Sequence, residues 1–153
     1  MIWQSLTKKP RCFIHYLKNT LKKKEKKPKK KTTSQLKKEL DKVFSQYIRQ
    51  KYANKDGMVA CYTCGVTKHW KEMQNGHFAS RSYLTTRFDE TNVRVQCLGC
   101  NVFGGGKVAV FATRLEAEGI STKELYRKAQ QITKYFPYEE RINYYKELLK
   151  SYE

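Results

Sequence analysis

The sequence is short of acidic residues. Its 153 residues include 14 Asp and Glu against 32 Lys and Arg, which leaves a formal charge of +18 at pH 7. It also has no apolar run long enough to span a bilayer, and no apolar N-terminal run followed by small residues as in a signal peptide. We therefore expect a cytoplasmic protein that makes no membrane contact and has a polyanion as its partner.

Hydrophobic residues are also few, at 39% of the chain, and the sequence has no internal repeat. The length allows one modest core. The charge is uneven, because residues 1–33 hold twelve Lys and Arg against one Glu and so carry +11 of the +18. A stretch such as KKKEKKPKKK cannot bury enough apolar surface to offset its ordering entropy. We predict a basic flexible arm over residues 1–33 and one folded domain over residues 34–153.

The sequence has five cysteines, an odd number. Four of them form two C-x-x-C pairs, Cys61 with Cys64 and Cys97 with Cys100. In a chain without an export signal this spacing indicates a metal rather than disulfides. Four thiolates complete the tetrahedron that Zn²⁺ prefers and leave no open position, so the predicted zinc is structural. The fifth cysteine, Cys12, is interpreted as a residue of the arm.

Hydrophobic periodicity predicts the elements around these pairs. A helix is expected over residues 33–53 with Ser34 as its N-cap, and a hairpin over 58–74 with its return strand at 69–74. A strand over 92–97 delivers the second cysteine pair, and three glycines at 104–106 form a flexible break. Further helices are expected at 107–119, from 121 and from 137. The pattern indicates an α+β fold, with a small zinc-stabilised, strand-rich centre framed by helices.

One histidine and two asparagines are tied to this centre. His77 lies between the cysteine pairs, Asn92 opens the strand that leads to the second pair, and Asn101 follows that pair directly. A lone histidine is more often structural, but His77 has a pKa range suited to a general base that activates water. The amide oxygen of Asn101 suits a hard ion such as Mg²⁺, which stabilises charge on a phosphate. Asn92 is expected to hydrogen-bond nearby backbone and fix the loop that carries His77.

Several stretches of residues 36–119 resemble the phage NinG family, also called Rap recombination endonucleases. They are LDKVFSQYIR, CYTCG, GHF, RFDETN, QCLGCN and the run from FATRL to EG. The resemblance implies a ββα-metal (HNH-type) fold and a Mg²⁺- or Mn²⁺-dependent endonuclease that cleaves branched DNA, such as junctions, D-loops and flaps, in the host cytoplasm. It also implies that His77 is the general base, Asn92 the loop-fixing residue and Asn101 the ligand of the catalytic metal, with the four cysteines holding zinc.

The sequence departs from the general HNH pattern just before the histidine. Many HNH enzymes have an acidic metal ligand at that position, whereas this chain has Gly76. The missing ligand is left open between Asp89, Glu90, Asn75, and water or substrate phosphate. In addition, FGGGK follows Asn101 in place of a more polar turn, so the local DNA contacts are expected to differ.

Basic residues near the histidine are candidates for clamping the phosphates that flank the scissile bond, although each could equally be a solvated surface charge. They are Arg81, Arg87, Arg94 and Lys107. The alternative function is a non-catalytic zinc-knuckle DNA-binding accessory protein of recombination. A nuclease accounts in addition for a histidine and an asparagine at one zinc centre. Cleavage of two strands at a junction makes a symmetric homodimer attractive.

Overall fold

The computed structural model describes residues 30–152, so Cys12 and almost all of the predicted arm lie outside the described residues. None of the described helices is both long and apolar enough to cross a membrane. The mixture of helices and short antiparallel strands confirms the α+β class. The elements are α1 (Thr33–Lys51), β1 (Met58–Ala60), β2 (Thr67–His69), β3 (Gln74–His77), α2 (Leu84–Arg87), β4 (Val93–Gln96), α3 (Val108–Ala117), α4 (Thr122–Ala129) and α5 (Tyr138–Leu149).

Helix α1 begins with a capping box. The Thr32 hydroxyl accepts a hydrogen bond from the Gln35 backbone at 3.3 Å, and the Gln35 side chain accepts one from the Thr32 backbone at 2.9 Å. The predicted N-cap at Ser34 was therefore wrong by two residues, because only Thr32 has a glutamine three positions on to complete the reciprocal pair. The buried stripe of the helix is Leu40, Val43, Phe44, Tyr47 and Ile48.

The main core lies between α1, α5 and the strands. The ring of Phe44 lies 5.7 Å from that of Phe88 and 5.1 Å from that of Tyr145, both in edge-on geometry. Val93 and Val95 of β4 complete the same cluster. Buried aromatic side chains contribute most of the packing energy in a small domain. They therefore hold α1 in a fixed position against the core.

Two antiparallel strand pairs carry the predicted site. β1 pairs with β2, and β3 pairs with β4 in a register that sets Gly76 opposite Arg94 and His77 opposite Val93. The hairpin around the first cysteine pair is confirmed, but its return strand lies at Thr67–His69 and not at the predicted 69–74. It ends at His69, because the His69 ring accepts a hydrogen bond from the Lys71 backbone and caps a 3₁₀ turn over Trp70–Glu72.

A second, smaller cluster joins the end of β3 to α3 and α4. It consists of Phe78, Phe111, Leu115 and Leu125. Helix α3 ends as expected before Gly119, which takes a φ of +77° that other residues rarely adopt. The order of elements through this region is β3, the short helix α2, β4 and α3, with a π-helical turn over Gly99–Phe103 and a 3₁₀ turn over Gly105–Lys107 between β4 and α3.

Candidate active site

The four paired cysteines form one cluster. The sulfur atoms of Cys61, Cys64, Cys97 and Cys100 all lie within 4.8 Å of one another, and none is in a disulfide. A tetrahedral Zn²⁺ with bonds of about 2.3 Å to sulfur requires sulfur atoms about 3.8 Å apart. The sulfurs of Cys64 and Cys97 are separated by 3.8 Å. The cluster therefore has the donor set and the size to hold a zinc ion.

Backbone hydrogen bonds fix the conformation of both knuckles, and one of them is made to the sulfur of Cys61. The Cys97 backbone N–H points at the sulfur of Cys61 at 3.3 Å. Burial alone raises the pKa of the Cys61 thiol, but this and the other hydrogen bonds to the sulfur outweigh it and lower that pKa, which favours the thiolate that binds metal. In the second knuckle the Asn101 backbone N–H donates to the Cys97 carbonyl at 2.9 Å. The position of Asn101 is thus set by the cysteine centre.

A groove of about 520 Å³ runs between α1, β3 and the turn after the second knuckle. His77 and Asn101 both line it, so the structure brings together the two residues on which the proposed chemistry depends. Arg81 lines it too, with a side chain that is 66% exposed. Among the described residues that line the groove, the only carboxylate is that of Asp41.

The imidazole of His77 is oriented by one hydrogen bond. Its Nε2 atom lies 3.0 Å from the carbonyl oxygen of Arg87. A carbonyl can only accept, so in the neutral ring Nε2 carries the proton and Nδ1 carries the lone pair. Burial lowers the pKa of His77, as do the charges of Arg81 and Arg87, and these effects outweigh the backbone contacts with Arg87 and Asn75, which raise it. The ring is therefore neutral at pH 7 and able to accept a proton.

Asn92 makes the backbone hydrogen bonds that the sequence predicted. Its Oδ1 accepts from the Ala79 N–H at 2.7 Å, and its Nδ2 donates to the carbonyls of Ala79 and Thr86, each at 3.0 Å. The side chain is fully buried. It therefore ties together the two ends of the loop between β3 and α2, directly after His77.

Asp41 is a site residue that the sequence analysis missed. Its carboxylate accepts two parallel hydrogen bonds from the Arg87 guanidinium, from Nε at 2.8 Å and from Nη2 at 2.6 Å. The Arg87 side chain also donates through Nη1 to the Arg81 carbonyl. Arg87, predicted to contact DNA, is instead buried, and its own carbonyl is the one that orients His77. The available signal was the position of Asp41 inside the stretch LDKVFSQYIR.

Two amide oxygens of residues that line the groove accept no hydrogen bond within the described part of the chain. The Nδ2 atom of Asn101 donates a hydrogen bond to the Gln74 side-chain oxygen at 2.7 Å, and its Oδ1 atom remains available. The Oδ1 atom of Asn75 is buried and finds no hydrogen-bond donor within the described part of the chain. An unpaired buried oxygen is costly unless something binds it, so these donors fit an ion such as Mg²⁺ or Mn²⁺.

Gly76 is required by the packing of β3 on β4. A Cβ atom at this position would lie 1.9 Å from the side-chain oxygen of Gln96. Gln96 cannot easily move, because its Nε2 donates to Thr63 at 3.0 Å and to the Gly106 carbonyl at 2.8 Å. The acidic ligand that many HNH enzymes have before the histidine therefore does not fit this fold.

The structure places the two acidic candidates for metal binding away from the groove. Asp89 caps the turn after it by accepting from the Thr91 backbone at 2.9 Å, and it pairs with Lys128 at 2.5 Å. Glu90 pairs with Lys51 at 2.7 Å. Each carboxylate is thus engaged with a lysine on another element, and neither lines the groove with His77.

The remaining basic candidates also separate into two kinds. Arg94 is buried, pairs with Glu118 and donates to the Glu90 and Val93 carbonyls at 2.9 Å, so it is a structural residue. Lys107 is exposed in the 3₁₀ turn before α3. With Arg87 buried as well, Arg81 and Lys107 are the two of the four predicted DNA contacts that solvent reaches.

Comparison with known proteins gives a family. No curated protein and no solved structure matches the chain. The family model described as the bacteriophage lambda NinG protein matches residues 9–153. This match takes in both cysteine pairs, the groove and all three candidate catalytic residues. The chain therefore belongs to the bacteriophage lambda NinG family.

Proposed function

We propose that this protein is a metal-dependent HNH-type endonuclease that hydrolyses phosphodiester bonds in branched DNA, such as junctions, D-loops and flaps. The observation that carries the proposal is His77, a neutral imidazole held by a backbone carbonyl in the same groove as Asn101. The antiparallel pair of β3 and β4, followed by α3 and lying beside the four cysteines, supports the ββα-metal fold implied by the resemblance.

In this proposal His77 is the general base. With the proton of the neutral ring on Nε2, the lone pair on Nδ1 takes a proton from the attacking water, and the Arg87 carbonyl stabilises the imidazolium that forms. Asn92 holds the loop that leads away from His77, and Asp41 holds Arg87. These residues act by positioning, because neither needs to touch the substrate.

The catalytic metal is Mg²⁺ or Mn²⁺ in this proposal. The Oδ1 atoms of Asn101 and Asn75 would hold it, together with water and oxygens of the substrate phosphate. When bound, such an ion stabilises the negative charge that develops on the phosphate and on the leaving oxygen. Asp89 and Glu90 have no part in this ligand set, since their lysine partners hold them elsewhere.

The charge of the groove supports a DNA substrate. Lys42 and Arg81 line it alongside His77, and a phosphate backbone placed there would replace their counterions. The zinc in the cysteine cluster is structural in this proposal, and the reducing host cytoplasm keeps its thiols available. A symmetric dimer would present two such grooves to two strands of a junction.

The test is cleavage of a labelled four-way junction, a flap and a matched linear duplex by the purified full chain. We expect cleavage of the branched substrates with Mg²⁺ or Mn²⁺ and none with EDTA. Sedimentation of the protein–junction complex tests the dimer. Tight junction binding without cleavage under any of these ions would favour the alternative, a non-catalytic zinc-knuckle DNA-binding protein.

A further inference from the structure

Two apolar side chains project into solvent directly after Asn101. Phe103 is 81% exposed and Val102 is 55% exposed. Val102 also lines the groove that contains His77. Single exposed apolar residues are common and need no explanation. These two are adjacent to each other and to the proposed site, and the turn that presents them is fixed in an unusual way.

The backbone around this pair is anchored on both sides. Before it, the Asn101 N–H is bonded to the Cys97 carbonyl of the cysteine centre. After it, the Gly104 N–H donates to the Gly99 carbonyl at 2.8 Å, and the Gly106 carbonyl accepts from buried Gln96 at 2.8 Å. The glycines predicted as a flexible break thus form a hydrogen-bonded turn.

The same turn stores backbone strain. Gly105, Gly106 and Lys107 have successive φ angles of 59°, 80° and 50°. Lys107 is the only non-glycine residue with a positive φ in the part of the chain that the structure describes. A lysine in this region is disfavoured relative to glycine, and such strain persists where the surrounding structure enforces it. The turn that follows Phe103 therefore has a defined backbone conformation, and Phe103 is 81% exposed at its start.

The surroundings indicate what would cover these side chains. The groove beside them is lined by Lys42 and Arg81, and Lys107 of the same turn is exposed. An apolar protein partner would leave these cations next to its contact. A nucleic acid offers both an aromatic face for Phe103 and phosphates for the cations. In linear duplex that face is hidden by stacking, whereas bases at a branch point are unpaired or easily unstacked.

We propose that Val102 and Phe103, here called the prong, stack on an unstacked base at the branch point of the DNA and so give the enzyme its preference for branched over linear substrates. The inference rests on the proposed function, because that function places the scissile bond in the adjoining groove. Apolar wedges that exploit easily unstacked base steps are a general means of recognising deformed DNA.

The test uses the full chain without divalent metal, so that DNA is bound but not cut. The DNA is a four-way junction with 2-aminopurine at the branch, and the reference is linear duplex of the same sequence. The variants are Phe103→Ala, Phe103→Trp and, as the matched control, Ile132→Ala. Ile132 is 91% exposed in the connection between α4 and α5, so its removal deletes an exposed apolar side chain elsewhere.

We expect Phe103→Ala to lose about 10-fold in junction affinity, from the loss of one base–aromatic stack, and to abolish the change in 2-aminopurine fluorescence on binding. Duplex affinity should not change. Phe103→Trp and Ile132→Ala should behave as the wild type does. An equal loss on duplex and junction, or no loss on either, overturns the proposal. So does a Phe103→Ala protein that sediments as a smaller oligomer, because the prong would then be a subunit contact.

These results are separable from the proposed function. If the wild-type protein cuts junctions with Mg²⁺ while Phe103→Ala binds and cuts them equally well, the prong is wrong and the nuclease stands. If the wild-type protein binds junctions through Phe103 but cuts nothing with Mg²⁺ or Mn²⁺, the proposed role of the prong is upheld and the proposed nuclease activity is rejected.

Discussion

At the scale of single residues, His77 and Asn101 are expected to fail in different ways. His77→Ala should keep zinc, fold and DNA affinity while cleavage falls about 10²–10⁴-fold, the usual effect of losing a general base. Asn101→Ala should also lose activity, but excess Mn²⁺ should restore part of it, because the defect there is metal affinity. Junction cleavage and melting temperature are measured on the same preparations.

The outcome for His77 distinguishes a catalytic from a structural histidine. A structural residue lowers stability on mutation and leaves the activity of the folded fraction unchanged. A stable His77→Ala protein that binds junctions and cuts them at the wild-type rate would rule out the HNH mechanism. If Mn²⁺ restored the activity of both variants equally, the assignment of His77 as base and Asn101 as metal ligand would be contradicted.

Asp41 is the residue that only the structure reveals, and it is expected to act through Arg87. Asp41→Asn keeps a hydrogen-bond acceptor but removes the charge that pairs with the buried guanidinium. We expect kcat for junction cleavage to fall about 10-fold with KM unchanged or lower, because His77 loses its fixed orientation while the groove becomes less negative.

A double-mutant cycle tests whether Asp41 works on His77. In a His77→Ala background, Asp41→Asn should have no further effect on residual cleavage. The matched control is Glu39→Gln, which removes the ion pair of Glu39 with Lys146 at 2.7 Å from the same helix. That variant should keep kcat. If Asp41→Asn lowered cleavage by the same factor in the wild-type and His77→Ala backgrounds, Asp41 would not act through His77 and its role would be structural.

At the scale of elements, the helices and the cysteine knuckles could be predicted from sequence because each has a local signal. The apolar stripe from Leu40 to Ile48 and the two C-x-x-C pairs are of this kind. The placement of His77 and Asn101 in one groove also followed from their positions beside the two cysteine pairs. The Asp41–Arg87 pair could not, because it joins residues of α1 and α2 that are 46 positions apart and that only tertiary packing brings together.

The same reasoning explains why four of the predicted site residues do not line the groove. Asp89, Glu90, Arg87 and Arg94 lie near His77 in sequence, and nearness was the reason for choosing them. Arg87, Asp89 and Glu90 lie in the connection between β3 and β4, and Arg94 lies in β4. Their side chains point toward α1, α4 and the end of α3, where each pairs with an opposite charge. Sequence distance predicts which backbone is near a site, but not on which side of it a side chain lies.

The cysteine centre is expected to determine the stability of the strand region. Cys100→Ser should lose the zinc and unfold the surrounding turns, since a structural zinc contributes on the order of 10 kcal/mol in a small domain. Cys12→Ser is the matched control, because Cys12 lies outside the two C-x-x-C pairs of the sequence, and it should keep one zinc per chain. Elemental analysis and thermal unfolding measure both. Folded wild-type protein without zinc would contradict the prediction.

At the scale of the whole molecule, the positive charge is divided equally between two parts of the chain. Residues 1–29 hold ten Lys and Arg against one Glu, which is +9 of the total of +18. Such a segment favours DNA of any sequence through release of counterions. The folded part carries the remaining +9 and contains the groove. We infer that the basic segment supplies affinity, while the groove and its surroundings supply selectivity.

Deletion of residues 1–29 tests this division. It leaves the Thr32 cap of α1 in place, so the melting temperature should not change. Affinity for junction and duplex should fall by the same factor, and the dependence of log K on log salt concentration should become shallower, because fewer phosphates are neutralised. Deletion of residues 1–33 is the matched comparison, since it also removes the cap and should lower stability by about 1 kcal/mol. Equal salt slopes for the 1–29 deletion and the full chain would show that the basic segment does not contact DNA.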